Sequence, residues 1–134
     1  MDERERYTAG MKVRREVLGS THVDNAQAKL NDFNSEFQDF ITRAAWGEVW
    51  TRPGLDRKTR SCMVLSTMIA LGAWDEYRLH VRAAFNNGLT RDDIKEVILQ
   101  AAIYSGVPKA NHAIKEAEAV FIEMGQAPKP VMQV

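Results

Sequence analysis

Apolar residues recur with a helical period along nearly the whole chain, and no stretch alternates as a half-buried strand would. The pattern predicts an all-α bundle of about six to seven helices. Residues 2–18 read as a first helix in which Tyr7, Met11, Arg14 and Leu18 share one stripe beside Val13 and Val17, with Gly19 as its stop. The pair Arg14-Arg15 on this helix reads as a solvated or interface feature rather than a ligand site. Asp24 is placed to cap a short second helix through Leu30. Asn34 or Ser35 opens a third, whose apolar side is Phe37, Phe40, Ile41 and Ala44 and which runs towards Trp46 and Trp50. Those two tryptophans share a face, with core or subunit interface as the expected use. Thr51-Arg52-Pro53-Gly54 breaks the run.

Asp56 caps the next helix, from Arg57 to Leu71. Met63, Val64, Leu65, Met68, Ile69 and Leu71 cover most of its circumference, which predicts a central position. Arg57, Lys58 and Arg60 gather three cations near its N-terminus, the end whose dipole favours an anion. Gly72 ends it, and the following helix, starting at Trp74, is expected to return antiparallel and to close at Asn86-Asn87-Gly88. Thr90-Arg91-Asp92-Asp93 resembles a capping box. It starts a helix with Ile94, Val97, Ile98, Ala101 and Ala102 inward, stopped by Ser105-Gly106. Pro108 suits the first turn of the last helix, which buries Ala113, Ala117, Val120, Phe121 and Met124 before Gly125. The tail, residues 126–134 with Pro128 and Pro130, is expected to be a non-helical arm lying on a neighbouring subunit.

The candidate chemistry sits on the helix that starts at Trp74. Glu76 and His80 are four residues apart and share a helix face, which Tyr77, Val81 and Ala84 extend in apolar character. A carboxylate and an imidazole against an apolar wall suit proton transfer or metal binding. The same spacing also describes a half-buried histidine paired with a glutamate on an interface helix. His22, His80 and His112 have no tight zinc spacing, and no metal is expected.

Length and composition narrow the class. At 134 residues, 45% hydrophobic and 27% charged, the chain reads as one domain spanning residues 1–134. Eighteen basic residues balance 18 acidic ones, so no net field draws the chain to nucleic acid or an anionic membrane, and neutrality tolerates self-association. The lone Cys62 excludes an intrachain disulfide and reads as a buried structural thiol. The charged start Met1-Asp2-Glu3-Arg4-Glu5-Arg6 is unlike a signal peptide, and no apolar run approaches a membrane span, so the cytoplasm is the expected location.

Four stretches carry a family resemblance: 55–61 (LDRKTRS), 76–84 (EYRLHVRAA), 87–97 (NGLTRDDIKEV) and 104–108 (YSGVP), with Phe33-Asn34 and 45–50 (AWGEVW) beside them. Over nearly its whole length the chain resembles the carboxymuconolactone decarboxylase family, specifically its protocatechuate-pathway branch. The wider superfamily includes alkylhydroperoxidase D-like proteins, whose redox motif is Cys-x-x-Cys-x-x-x-His. Here Ala73 and Glu76 stand at the cysteine positions and His80 at the histidine. A disulfide-cycling peroxidase cannot work without a dithiol. The peroxidase relay glutamate of the preceding helix corresponds by spacing to Ser61, so only His80 transfers cleanly.

The resemblance implies an alkylhydroperoxidase D-like helical fold assembling as a homohexamer. It implies cofactor-free decarboxylation of 4-carboxymuconolactone, a lactone dicarboxylate, to β-ketoadipate enol-lactone and CO2. The lactone ring is the electron sink. The protein must supply a cation for a substrate carboxylate, an apolar surface, an oxyanion donor and a proton donor. His80, oriented and kept partly protonated by Glu76, is the expected donor. Arg60 is the expected anchor, with Arg57 and Arg82 behind it and Trp46 or Tyr104 lining the pocket. Arg82, two residues from His80, points to the other side of its helix. The rival expectations are a redox protein of the same fold and a non-catalytic helical oligomerisation module.

Overall fold

A computed structural model describes residues 1–132; of the arm expected over 126–134, Gln133 and Val134 lie outside the described residues. The described residues form seven α-helices and one π-helical stretch, with no strand. The α-helices are α1 (Glu3–Leu18), α2 (Ser20–Ala28), α3 (Ser35–Ile41), α4 (Arg57–Leu71), α5 (Trp74–Asn86), α6 (Arg91–Ser105) and α7 (Val107–Glu123). The π segment, Thr42–Val49, continues α3.

The helix ends follow local chemistry. Asp2 and Glu5 close a capping box on α1, with the Glu5 N–H donating to Asp2 at 2.8 Å. The Asp56 side chain accepts from the Thr59 N–H at 2.7 Å, and this bond holds its carboxyl below the usual range. Thr90 and Asp93 form the expected box on α6. Gly72 ends α4 in the left-handed region, at φ 67° and ψ 28°. α2 departs from expectation: it starts at Ser20, directly after Gly19, so Asp24 lies inside it. There the Asp24 carboxylate pairs with Arg15 at 2.8 Å and ties α2 back to α1.

Two apolar clusters share α5. On one side Tyr77, Val81 and Ala84 join Leu65 and Ile69 of α4, Ile94 and Ile98 of α6 and Ala113, Ala117 and Val120 of α7. The Tyr77 hydroxyl crosses this core to donate to the Ala113 carbonyl at 3.0 Å. On the other side Ala83 meets Val13 and Val17 of α1 and Trp46 of the π segment. His80 lies between these two sides, with Tyr77 and Ala84 one turn from it on the first and Ala83 on the second.

α4 is central on one face only. Ser61, Leu65 and Ile69 are buried, while Met63 and Leu71 are exposed, so the apolar girth read from sequence exceeds what one chain covers. Phe37 and Phe40 likewise face outward rather than into the bundle.

α1 and the π segment meet backbone to backbone. A Cβ built on Gly10 would lie 2.1 Å from the Thr42 carbonyl oxygen and 2.8 Å from the Gly47 nitrogen. One on Gly47 would lie 2.3 Å from the Arg6 carbonyl oxygen. No side-chain rotation relieves those overlaps. Gly10→Ala is therefore expected to cost about 3 kcal/mol in urea unfolding, at the upper end of overpacking penalties. Gly54→Ala, where an added Cβ meets nothing within 4 Å, should stay within about 0.5 kcal/mol of wild type. Equal effects of the two would refute the close contact.

Candidate functional site

His80 is half-buried on α5, within reach of the charge of His22 on α2, and its Nδ1 is buried with no hydrogen-bond partner. Burial pushes its pKa down to about 4, helped by the nearby charge of His22. The expected Glu76–His80 pair is not formed. Glu76 is exposed, and its charge acts on His22 of α2, where it opposes a downward shift caused first by burial and then by Arg14. Position four residues apart on one helix brings Glu76 and His80 near each other, but the facing helix decides which group each serves. His80 in the free chain is thus neutral at pH 7, not partly protonated.

The group that sequence reasoning misplaced is Arg14. It is 4% exposed, the one charged residue in the buried set of the described residues. Its Nη2 donates to Gln38 Oε1 at 3.1 Å and its Nη1 to Thr42 Oγ1 at 3.4 Å, while Nε is buried without a partner. No carboxylate pairs with it among the described residues. Burial is the main force lowering its pKa, yet a guanidinium stays charged. Arg14, His22 and His80 therefore form a desolvated basic cluster. A signal for Arg14 was present in the sequence: a cation on the stripe of Tyr7, Met11 and Leu18 stands on a face that must be buried. His22 had no such signal.

Beside this cluster lies a cleft of about 640 Å³ lined by Tyr7, Gln27, Gln38, Asp39, Thr42 and Arg43 among others. Both hydrogen-bond partners of Arg14 line it, so the guanidinium stands directly behind its wall.

The other predicted residues scatter. Arg57 pairs with Glu16 at 3.2 Å and Lys58 with Asp93 at 3.4 Å, so two of the three cations at the start of α4 are neutralised. Arg82 pairs with Glu123 of α7, away from His80, the direction its spacing implied. Arg60 donates to the Arg52 carbonyl at 3.2 Å and keeps a buried, unpartnered Nε. It lines a separate cavity of about 260 Å³ with Val49, Trp50, Met63, Val64, Thr67 and Met68. Neither cavity is lined by His80. Trp46 is buried and stacks on Trp50 with ring centres 5.1 Å apart, while Tyr104 is exposed at the end of α6. Ser61 is fully buried, with its hydroxyl unpartnered. Cys62 is half-buried, and burial raises its thiol pKa. Among the described residues no three His, Cys, Asp or Glu side chains gather as a metal would require.

Comparison with known proteins bears on the same region. The carboxymuconolactone decarboxylase family profile matches residues 35–119. The 4-carboxymuconolactone decarboxylase of Acinetobacter baylyi is 52% identical over 131 residues, covering 98% of each chain. Nitrosuccinic acid decarboxylase npaB of Metarhizium robertsii is 47% identical over 118 residues, 88% of this chain and 82% of that one. A 4-carboxymuconolactone decarboxylase chain from Pseudomonas putida is 65% identical over its whole 48 residues, 36% of this chain. Arg14 and His22 lie outside the family-wide match but inside the similarity to the Acinetobacter enzyme.

The depressed His80 has a consequence for stability. Between pH 6.5 and about 4 the folded chain binds fewer protons at this site than the unfolded chain. Stability therefore falls as pH falls through that window, by up to about 3 kcal/mol, and is unaffected by this group above it. An NMR titration should place the His80 imidazole midpoint near 4, and His80→Gln should lose less stability than wild type between pH 7.5 and 4.5. A midpoint of 6.5 or higher refutes the burial argument.

Proposed function

The chain belongs to the carboxymuconolactone decarboxylase family, and from that premise we propose that it is a cofactor-free carboxy-lyase acting on 4-carboxymuconolactone in protocatechuate degradation. The similarity to the Acinetobacter decarboxylase over 98% of both chains carries the reading. The basic cluster of Arg14, His22 and His80 supports it, because the substrate is a dianion.

In this reaction the bond between the ring carbon and its carboxylate breaks, and CO2 leaves. The electron pair moves through the ring double bond into the lactone carbonyl. A proton then adds to the ring carbon beside the lactone carbonyl, the carbonyl re-forms and the double bond stays at the carbon that lost CO2, giving β-ketoadipate enol-lactone, so one proton is consumed per CO2 released. The lactone itself holds the electrons in the intermediate, and no cofactor is called for. His80 is the proton donor in this proposal. It is neutral in the free chain, and the dianion supplies the opposite charge that raises its pKa when bound. The proton is thereby loaded with the substrate and spent after CO2 departs. Glu76 acts through His22, whose protonated form it favours, and His22 in turn sets the field at His80.

Of the cations read from sequence, Arg57 and Arg82 are engaged by Glu16 and Glu123. Arg60 closes no ion pair among the described residues and lines a separate apolar cavity that His80 does not line, which leaves the anchor of the proton-transfer site to another cation. Trp46 supports this wall from behind, through its stack on Trp50. Purified protein given 4-carboxymuconolactone should release CO2, and His80→Ala should lower kcat by about 10²–10⁴-fold, the range for loss of a proton-transfer group. Turnover of His80→Ala close to wild type removes that role.

The same reading carries a homohexamer in the cytoplasm. Leu99, Ile103, Tyr104 and Val107 expose an apolar strip along and beyond α6, and Phe33, Phe37 and Phe40 expose another by α3. Tyr104 belongs to a subunit contact on this view. No helix among the described residues is long and apolar enough to cross a membrane. Light scattering should return six times the 15.2 kDa chain mass, and Ile103→Asp should lower it. A 15.2 kDa particle for wild type overturns the assembly.

A further inference from the structure

We propose that Arg14 is the carboxylate anchor of the site and that Gln38 holds the anchor's acceptor position while the site is empty. That the carboxylate belongs to the lactone substrate rests on the decarboxylase reading; that Arg14 receives one does not.

The argument is one of charge. Arg6, Arg15, Arg43, Arg57, Arg78 and Arg82 are all more exposed than Arg14, and each closes an ion pair with a carboxylate. Arg14, the most deeply buried charge described, closes none. Its contacts are a neutral amide oxygen at 3.1 Å and a hydroxyl at 3.4 Å. A buried guanidinium is costly unless a counter-charge meets it, and three of its donors point at nothing stronger than a dipole. Its Nε has no partner at all, although it is shut off from solvent. The neighbour that senses it makes the imbalance worse: His22 is basic and is coupled in turn to His80, and the acid acting on His22, Glu76, is exposed. The cluster lacks a negative charge that the chain does not provide.

The route to it is the cleft. Gln38 and Thr42 line that cleft and touch Arg14, and Gln38 is the flexible member of the two. Its amide oxygen accepts from Nη2 where one oxygen of a bidentate carboxylate would sit. Thr42 is fixed by its own bond to the Gln38 carbonyl at 2.7 Å and by the seat of its backbone against Gly10. A small carboxylate entering from the cleft displaces the Gln38 amide and takes two guanidinium N–H groups. A carboxylate from a second subunit has the same chemistry, and the experiment separates the two.

Gln38→Glu builds the missing charge into the chain. It should raise Tm, because it neutralises the buried guanidinium, and it should raise the KM for 4-carboxymuconolactone at least about 30-fold, because the anchor is then occupied. Arg14→Met should keep or raise Tm and raise KM similarly, with Arg14→Lys intermediate. Succinate, a plain dicarboxylate, should raise the Tm of wild type and not of Gln38→Glu or Arg14→Met. A merely structural Arg14 predicts the Tm change in Gln38→Glu with KM and the succinate shift unaltered, which overturns the proposal. A change in particle mass with KM unaltered assigns Arg14 to a subunit contact and overturns it too. If wild type binds succinate through Arg14 but does not turn over the lactone, the anchor stands and the decarboxylase reading fails. If wild type turns over the lactone and the Arg14 variants keep its KM, the reverse holds.

Discussion

The contact between α1 and the π segment is the constraint on which the site depends. Gly10 and Gly47 let two backbones touch, and no side chain separates them. Arg14 lies one helical turn beyond Gly10 on the same face. Once Gly10 is seated on the Thr42 carbonyl, Arg14 has nowhere to go but inward, against the Thr42 side chain. The burial of a charge follows from a steric fact one turn away. The π geometry contributes as well: a wider turn at Thr42–Val49 presents Thr42 to α1 and Trp46 to Ala83 of α5. Interior π turns are common at functional sites, and this one carries the wall between the guanidinium and the cleft.

Burial then decides protonation. In water two imidazoles and a guanidinium would share the charge loosely. Behind α1 and α2 the cost of desolvation outweighs the pull of Glu76, and the histidines are both held below their ordinary values. The cluster thus carries its fixed charge on Arg14 and leaves His80 uncharged. In the proposed reaction that suits binding of a dianion, because a protonated His80 beside His22 would add repulsion, and the bound anion is what raises the imidazole pKa.

Most of the fold was legible because its signals are local. The box at Thr90, the cap at Asp56 and the stop at Gly72 each involve residues within one turn of one another. The inward residues of α5, α6 and α7 follow the 3.6 period closely. The π segment was not legible, since five-residue hydrogen bonding leaves the same apolar and polar residues in place. Phe37, Phe40 and Met63 read as interior and lie exposed, because periodicity reports that a face is apolar and not which chain covers it. The site was half legible. His80 stood out, but Glu76 was matched to it by sequence distance, and its actual counterpart, His22, comes from another helix. Arg14 was read as a solvated or interface feature because charge usually is, although its place on an apolar stripe argued for burial within the chain.

The distribution of these residues along the chain has its own logic. His80 falls within the 35–119 stretch that matches the family as a whole. The opening turn of α5, Ala73 to Glu76, carries no thiol. Arg14 and His22 come from α1 and α2, before residue 35. A histidine supplied by the shared bundle can move a proton in many reactions. On the proposed assignments, a buried arginine and a second histidine supplied by the N-terminal helices restrict which molecules it can serve. Chemistry and substrate choice would then be carried by different parts of one small chain, joined where α1 meets α5 at Val13, Val17 and Ala83. Changes to the N-terminal helices can alter the anion that is bound while leaving the proton-carrying helix, and the core that holds it, in place.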